Sequence, residues 1–411
     1  MSATLLRIEQ EVLEEGREWT RRRLQERLQE AADGIPAVCG QSGLVLKRQQ
    51  AASFTLMTVS GTVTITAIRG HSKATADWHC PAREQWGLAK WARLSPEFEQ
   101  RLTYNSAVAG SYQKAAELSR RWGSPISDDA IHALVQRIAG NSEGVDLPPF
   151  PPPKPREPAF SLVIMADGWM ARQRGVDWGA KPGPPAPERV TWKEVKSAVV
   201  YRLEDQAANA SGRGMLIEKK VVAVPPDTEV VDLGAMLKAE AMRCGLAYAK
   251  EVLVVADGAV WIWNMIEDRF SQATKTLDFY HGSQHLWSLA HHLHPDSKEA
   301  AAAWVIPLLH QLRHTPEHGV VRTLEEILAG NPADPVIRRE VNYFQNHRDH
   351  LDYAALAARD APIGSGSMES ACGQFQNRLK RRGQFWSPRG FANMLVIDVA
   401  VKNDTLQFLW N

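Results

Sequence analysis

The chain has 411 residues, of which 44% are hydrophobic and 23% charged, an ordinary globular composition with room for two or three domains. Lys and Arg total 48 and Asp and Glu total 47, so the net charge of +1 excludes a uniformly basic or acidic protein. Nucleic-acid-binding domains are often strongly basic, so this balance counts mildly against such a partner unless the basic residues cluster.

The four cysteines lie far apart and fit no disulfide scaffold, and no apolar stretch is long enough to cross a membrane. The acidic start of the chain does not have the form of a signal peptide. We therefore expect a protein of the reducing cytoplasm that has no membrane partner.

The first third of the chain is predicted to be mostly helical, beginning with one amphipathic helix in residues 1–34. Two β-rich stretches that meet at Ser60-Gly61 predict a β-hairpin within 35–95. A helix-turn-helix is predicted within 96–142, with Ser127 capping its second helix. The acidic first turn of that helix would face anionic DNA, so DNA binding and a purely structural role both stay open.

A proline-rich run over 143–158 predicts a linker, and an α/β pattern follows it. The order is three strands, a helix, a strand, a helix and a short strand, which is the order expected of an RNase H-like mixed sheet with flanking helices. The strands are expected at about 160–166, 195–201, 215–224, 252–256 and 277–280. Helical segments over 281–357 then predict an all-helical insertion, and a final helix begins near Gly366.

Two carboxylates end apolar segments of the same form, Leu162-Val-Ile-Met-Ala-Asp167-Gly and Val252-Leu-Val-Val-Ala-Asp257-Gly. Continuously apolar strands belong in a sheet that is covered on both faces, and ligands collect at the carboxyl ends of such strands. If the two strands are neighbours, Asp167 and Asp257 converge and can share a divalent cation. An Asp-Gly pair is otherwise commonly a turn, and the repetition of the pattern weakens that alternative.

A third carboxylate, Glu369, lies near the start of the final predicted helix. It either offsets the helix dipole there or reaches the two aspartates. Basic residues follow it, and a second basic cluster lies in the first helix. The two clusters are candidates for contact with DNA phosphates, and they comprise Arg378, Lys380, Arg381, Arg382 and Arg389, and Arg21, Arg22 and Arg23.

Several motifs resemble, in order and spacing, DDE transposases of bacterial insertion sequences. These motifs are Asp167-Gly-Trp169, Val255-Ala-Asp-Gly-Ala-Val-Trp-Ile-Trp263, Asp278-Phe-Tyr-His281, and Gly364-Ser-Gly-Ser-Met-Glu369 with Asn377-Arg-Leu-Lys380. The closest resemblance is to the ISKra group, which is distantly similar to the Mutator-like elements. It covers most of the chain from about residue 50 onward.

The resemblance implies that Asp167, Asp257 and Glu369 are a catalytic triad that holds two Mg²⁺ or Mn²⁺ ions, with Asp278 and His281 as accessory residues. The implied activity is cleavage at element ends followed by transfer of the 3′-hydroxyl into target DNA. The implied partners are double-stranded DNA of the terminal repeats and the target, and further copies of the chain in a homodimer or larger oligomer. The implied location is the bacterial nucleoid.

The resemblance also suggests how the domains are arranged. The catalytic core is expected in two parts that flank the helical insertion, at 159–294, 295–361 and 362–411. Relatives of this type carry two Cys-Pro-x-Cys knuckles in the amino-terminal half, and here each pair has lost one thiolate. Cys39, Cys80, His79 and His71 remain as possible ligands, but we do not expect a zinc site.

Two other functions stay open from the sequence: a non-catalytic DNA-binding protein descended from a transposase, and a stand-alone nuclease such as a junction resolvase. A histidine cluster at residues 285–294 has spacing that fits one helical face and therefore a metal site. No acid or cysteine pattern lies beside it in sequence, so we favour a packing or solvated face.

Overall fold

The computed structural model describes residues 3–141, 159–181, 188–208, 214–315 and 319–410. The chain divides into two compact units, one of residues 1–145 with 406–411 and the other of residues 146–405. The predicted linker at 143–158 lies outside the described residues. Within the described ranges, no helix is long and apolar enough to span a bilayer.

The first unit combines a long helix, a three-stranded antiparallel sheet and a group of short helices. Its elements are α1 (Ala3–Asp33), β1 (Lys47–Thr58), β2 (Gly61–Ser72), β3 (Asp77–His79), α2 (Pro81–Gln85), α3 (Pro96–Val108), α4 (Tyr112–Arg121), α5 (Asp128–Gly140) and a 3₁₀ helix (Leu406–Trp410). Helix α1 packs on β2, and the core between them includes Leu56, Val63 and Ile65.

The helices predicted in 96–142 are present, and each begins at a serine cap. The Ser127 side chain accepts a hydrogen bond from the Ala130 amide at 3.2 Å, which confirms the expected cap of α5. Ser111 caps α4 in the same way. These caps specify where the two helices begin, but they do not decide between DNA binding and a structural role.

The second unit is built on a five-stranded mixed sheet in the order β10-β9-β4-β5-β8. Its strands are β4 (Ser161–Arg174), β5 (Val190–Arg202), β8 (Lys220–Val224), β9 (Glu251–Ala256) and β10 (Thr274–Leu277), and β6 (Gln206–Ala208) pairs with β7 (Gly214–Leu216) in a separate hairpin. Strand β5 runs antiparallel to β4 and β8, whereas β9 runs parallel to β4 and β10. This mixed α/β arrangement is compatible with an RNase H-like core.

Helices cover both faces of this sheet. The helices of the unit are α6 (Val230–Arg243), α7 (Val260–Arg269), α8 (Phe279–Leu293), α9 (Lys298–His314), α10 (Gly319–Gly330), α11 (Pro335–Asn346), α12 (Tyr353–Ala357), α13 (Gly366–Leu379) and α14 (Pro388–Lys402), with 3₁₀ helices at Leu246–Tyr248 and Arg348–His350. Helices α6 and α7 pack on one face of the sheet. Helices α13 and α14 pack on the opposite face, where Trp169 of β4 stacks on Phe375 and contacts Phe391.

Helices α8 to α12 form a separate apolar core around residues such as Leu286, Val305 and Phe344. This is the all-helical region expected between the second and third carboxylates.

Several boundaries differ from the sequence expectation. Strand β4 continues to Arg174 instead of ending near residue 166, and the strand expected at 215–224 is divided into β7, in the separate hairpin, and β8. The short strand expected at 277–280 ends at Leu277, because the Asp278 side chain accepts hydrogen bonds from the Tyr280 and His281 amides and thereby starts α8. The last residues, 406–411, were expected to belong to the catalytic core and instead belong to the first unit. There the Trp410 indole donates to Glu99 at 3.1 Å.

Candidate active site

Asp167 lies in the middle of β4, just beyond the point where its parallel neighbour β9 ends. Its side chain is on the sheet face that α13 covers, and the Cys372 thiol donates a hydrogen bond to Asp167 Oδ2 at 3.7 Å. The Ser197 hydroxyl of β5 donates to the Asp167 carbonyl at 3.2 Å. Burial raises the pKa of Cys372 to about 12, so this residue is a neutral thiol donor at physiological pH.

Asp257 follows the last residue of β9 and is the neighbour of Asp167 across the sheet. The parallel register pairs Ala166 with Ala256, so the next residue on each strand is an aspartate. Burial, followed by the negative charge of Asp257, raises the pKa of Asp167. Two carboxylates close enough to repel each other are a typical ligand pair for a divalent cation.

The glycine after each aspartate does not serve a left-handed turn. Gly168 lies within β4, and neither Gly168 nor Gly258 has a positive φ angle. The turn alternative is therefore wrong for Asp167-Gly168, which lies within a strand. By contrast, the Asp257 side chain accepts from the Ala259 amide at 3.0 Å and forms the local turn that the alternative describes. Packing does account for Gly258, because an added Cβ there would lie 2.3 Å from the Tyr343 ring.

Asp278 connects three segments of the unit and is fully buried. Its amide donates to the Ala256 carbonyl at 2.7 Å, and its Oδ1 accepts from the Tyr280 and His281 amides at the start of α8. Its Oδ2 accepts from the Ser365 amide at 2.6 Å, at the residue that precedes α13. Asp278 thus holds the end of β9, the start of α8 and the start of α13 together.

His281 lies one turn into α8 and is half-buried. It is near enough to Asp167 that its charge lowers the pKa of that carboxyl, opposing the effect of burial. Its Nδ1 is 3.9 Å from Asp278 Oδ1, which is too long for a hydrogen bond. The structure therefore places both accessory residues beside the aspartates, Asp278 as a buried connector and His281 facing Asp167.

Glu369 lies in the first turn of α13 and its side chain is exposed. It is one turn before Cys372, and its negative charge contributes to the raised pKa of that thiol. Across the described ranges, no three His, Cys, Asp or Glu side chains are grouped closely enough to hold a metal ion. The structure brings Asp167 and Asp257 together. Glu369 lies about one helical turn from Cys372, which is the residue of α13 that contacts Asp167.

Residues of helices α8 to α12 line one side of this site. The sequence did not predict this contact. Tyr343 of α11 packs against Gly258, and its ring stacks on His285 with 3.6 Å between centroids. His347 and His350 surround the Trp263 ring. Burial lowers the pKa of both histidines, so they are neutral near physiological pH.

The other histidines of the cluster at 285–294 pack against α11. His285 bonds to Glu340 at 2.5 Å, and His292 bonds to Asp334 at 2.8 Å. His291 stacks on Trp287 within its own helix. Two histidines of the cluster therefore pair with acids of α11 and its amino-terminal cap, which the sequence around the cluster does not contain.

We expect Gly258→Ala to lower the free energy of unfolding by about 1–3 kcal/mol, the usual cost of overpacking a filled site. Tyr343 has no space to yield, because its other face stacks on His285. Gly168→Ala is the matched control, since its Cβ would meet the flexible carboxylate end of Glu194. Urea unfolding of both variants tests this, and an equal cost for the two would contradict the role of Tyr343.

The basic residues after Glu369 divide into two groups. Lys380 is partly exposed, and the side chains of Arg381, Arg382 and Arg389 are exposed. Arg378 is only 3% exposed, with its guanidinium 5.1 Å from the Trp386 ring centroid. Its charge also offsets the rise that burial causes in the pKa of Asp398. Arg378 therefore belongs to the interior, and we leave it out of any DNA-binding surface.

The arginines of α1 were expected to form a basic cluster that contacts DNA phosphates. In the structure they pair with glutamates of their own helix. Arg21 and Arg22 both pair with Glu18, at 2.6 and 3.5 Å, and Arg23 pairs with Glu26 at 3.0 Å. Pairs three or four residues apart are typical of a solvated helix surface. Their charge is locally balanced, so this helix is not a strong candidate for phosphate contact.

Comparison with known proteins gives little. No family model matches the chain, and no curated protein matches it. Among solved structures, the Drosophila P element transposase strand transfer complex is similar over 75% of this chain and 92% of that chain, with 11% sequence identity and a TM-score of 0.38. A likeness at this level supports no conclusion about function.

Proposed function

We propose that the chain is a DNA transposase of the DDE type, with an RNase H-like core and with Asp167, Asp257 and Glu369 as its metal ligands. The observation that carries the proposal is the Asp167–Asp257 pair, which lies where the parallel pairing of β4 and β9 ends. The sheet order β10-β9-β4-β5-β8, with only β5 reversed, supports an RNase H-like core. The order of the motifs, with a helical region between the second and third carboxylates, favours a transposase over a simple nuclease.

The donor set fits Mg²⁺ or Mn²⁺. Mg²⁺ is bound in proteins through one or two carboxylates together with substrate phosphates, and Asp167 and Asp257 provide such a pair. Glu369 would complete a second site once DNA is present, since it lies on the helix that contacts Asp167. A bound pair of ions would supply the charge that stabilises an in-line displacement at phosphorus.

The remaining residues act on the two aspartates. The Cys372 thiol and the Gly168 amide donate to Asp167, and the Ala259 amide donates to Asp257 at 3.0 Å. These bonds hold both oxygens of Asp167 and one oxygen of Asp257, which restricts the directions from which the two carboxylates can bind a cation. Tyr343 and the neutral His347 cover the Asp257 side of the site and exclude water from it.

Double-stranded DNA is the proposed substrate, and further copies of the chain are the proposed partners on it. The test is incubation of labelled duplexes, made from both flanks of the gene that encodes the chain, with the protein and Mg²⁺. We expect cleavage at one position on each flank and joining of the released 3′-end to a second duplex. Cleavage without joining would favour the stand-alone nuclease, and no reaction in Mg²⁺ or Mn²⁺ would favour the non-catalytic DNA-binding protein.

The repulsion between Asp167 and Asp257 predicts how metal and pH affect stability. The raised pKa of Asp167 contributes stability below its usual pKa of 3.8, and this is lost as pH rises through the higher folded-state value. Without metal, Asp167→Asn should therefore melt at a higher temperature than the wild type at neutral pH. The difference should shrink towards acidic pH.

Added Mg²⁺ should reverse this order, because it stabilises the wild type and cannot use the amide of Asp167→Asn in the same way. Thermal melts across pH, with MgCl₂ or with EDTA, measure both effects. Ser197→Ala is a control that leaves both carboxylates in place. An equal response of wild type and Asp167→Asn to Mg²⁺ would contradict the metal site.

The exposed arginines beyond α13 predict a salt-dependent contact with DNA. Replacing Arg381 and Arg382 by Ala should weaken binding to specific and random duplexes alike, and should flatten the slope of log affinity against log salt by roughly two units. Arg322→Ala is the control, since Arg322 is exposed in the helical region and pairs with Glu326. Unchanged affinity and slope in the double variant would move the DNA path elsewhere.

A further inference from the structure

Strands β4 and β5 continue beyond the candidate site as a two-stranded ribbon. Strand β9 ends opposite Ala166 and β8 ends opposite Lys196, but β4 and β5 stay paired as far as Arg174 and Val190. The loop after α13 takes the place of β9 at this edge, where the Arg174 amide donates to the Trp386 carbonyl at 2.9 Å. The loop therefore holds the β4 edge of the ribbon at its far end.

Aromatic rings and cations alternate on this ribbon and its loop. We call them the ribbon patch, which comprises Arg172, Arg174, Trp178, Trp192, Lys380 and Phe385. The Arg172 guanidinium lies 5.8 Å from the Trp192 ring centroid and 5.2 Å from that of Phe385. The Lys380 ammonium lies 5.5 Å from the Trp192 centroid.

The other end of the patch has the same composition. Arg174 lies 5.2 Å from the Trp178 centroid, and the Trp178 and Phe385 rings are 5.1 Å apart. Trp178 is 44% exposed and Trp192 is 50% exposed. Large aromatic rings left half-exposed beside cations are an unusual surface for a protein that has no partner.

Among the described residues, the cations of the patch are not paired with carboxylates, although Glu194 lies two residues from Trp192 on β5. In the described part of the chain, Arg172, Arg174 and Lys380 form no salt bridge with a carboxylate. Arg172 and Arg174 instead donate to the carbonyls of Arg381 and Phe385, which fixes their direction without neutralising them. The patch therefore suits an anionic ligand that also has flat rings.

Two distances, one along β4 and one along α13, describe how far the patch lies from the candidate site. Trp192 is paired with Arg172, five residues along β4 from Asp167, which is about 17 Å at the rise of a strand; this odd spacing places both side chains on the other face of the ribbon from Asp167. Helix α13 runs the same way, with Cys372 at Asp167 and Phe375 at Trp169. From Glu369 to Lys380 it spans about 16 Å at the rise of a helix.

We propose that the ribbon patch binds an unpaired stretch of DNA strand and stacks Trp192 and Trp178 on its bases. That this strand continues to a phosphate held at Asp167 rests on the proposed function. Unpaired rather than duplex DNA is the occupant, because a base inside a duplex has no free face for an aromatic ring. The cations beside the rings would contact the phosphates that flank these bases.

The test compares the affinity of the protein for a blunt duplex and for the same duplex with an oligothymidylate tail, in EDTA so that no cleavage occurs. We expect the wild type to prefer the tailed duplex about tenfold or more. Trp192→Ala should lose that preference and keep its affinity for the blunt duplex, whereas Trp192→Phe should retain most of the preference. Trp91→Ala is the matched control, since Trp91 is 84% exposed but lies in the first unit.

A tail preference that survives in Trp192→Ala, or its absence in the wild type, would overturn the proposal. The outcome is separable from that of the proposed function, because binding in EDTA requires no catalysis. A chain that prefers the tailed duplex through Trp192 but cuts no DNA in Mg²⁺ would retain the patch and lose the transposase assignment. A 2-aminopurine scan of the tail then locates the stacked bases, with a fluorescence change expected in the wild type and lost in Trp192→Ala.

Discussion

Asp257→Asn is expected to lower the rate of DNA cleavage by about a thousandfold or more while leaving DNA affinity within a few fold. Metal ions stabilise the charge of a phosphoryl transition state by several kcal/mol, and each 1.4 kcal/mol or so corresponds to a tenfold change in rate. An amide cannot replace a carboxylate in that role, although it has nearly the same shape. Asp167→Asn should behave in the same way.

Glu369→Gln tests the third position separately. Because Glu369 is exposed and lies one turn from Cys372, its variant should fold with wild-type stability and should still lose cleavage and joining. Single-turnover rates on the labelled flank duplexes measure all three variants. Asp268→Asn, at an exposed residue of α7, is the control for the loss of one carboxylate. Wild-type turnover in any one of the three site variants would remove that residue from the metal site.

Asp278→Asn is expected to lower the free energy of unfolding by about 2–3 kcal/mol, because it leaves buried donors without an acceptor. The amide can still accept from the Tyr280 and His281 amides, as Asn is a good helix cap. Its nitrogen would then face the Ser365 amide, and two donors would meet at a distance that is now 2.6 Å. The start of α13 should shift, and cleavage should fall with it.

Asp334→Asn is the matched control for that variant. Asp334 caps α11 through two amides, as Asp278 caps α8, but it is partly exposed and its other oxygen pairs only with the partly exposed His292 side chain of α8. Its replacement should cost less than about 1 kcal/mol and leave cleavage unchanged. Urea unfolding and cleavage, measured below the melting range of each variant, separate the two aspartates. Equal effects would show that Asp278 acts only as a helix cap.

Much of the second unit could be predicted because its strands are continuously apolar and their order is local in sequence. The pairing of Asp167 with Asp257 follows from two segments of the same form that lie side by side, and the structure places them together. Ser127 was identifiable as a cap because its bond is to an amide three residues away.

The parts that could not be predicted depend on contacts across long stretches of chain. Tyr343 reaches Gly258 from a helix 85 positions later, and no local pattern marks it. The acids that pair with His285 and His292 lie on α11, so the sequence around the histidines gave no sign of them. Arg378 looked like its basic neighbours and is buried because of its position on α13.

The bond between Asp278 and Ser365 joins residues that are 87 positions apart in the chain. The backbone leaves the sheet layer and returns to it at almost the same point, and the whole helical region lies between. Closing a loop depends only weakly on its length, at about 0.6 kcal/mol for each doubling. The segment between these two residues could therefore lengthen or shorten by whole helices over evolutionary time, while the distance between Asp257 and Glu369 in space stays the same.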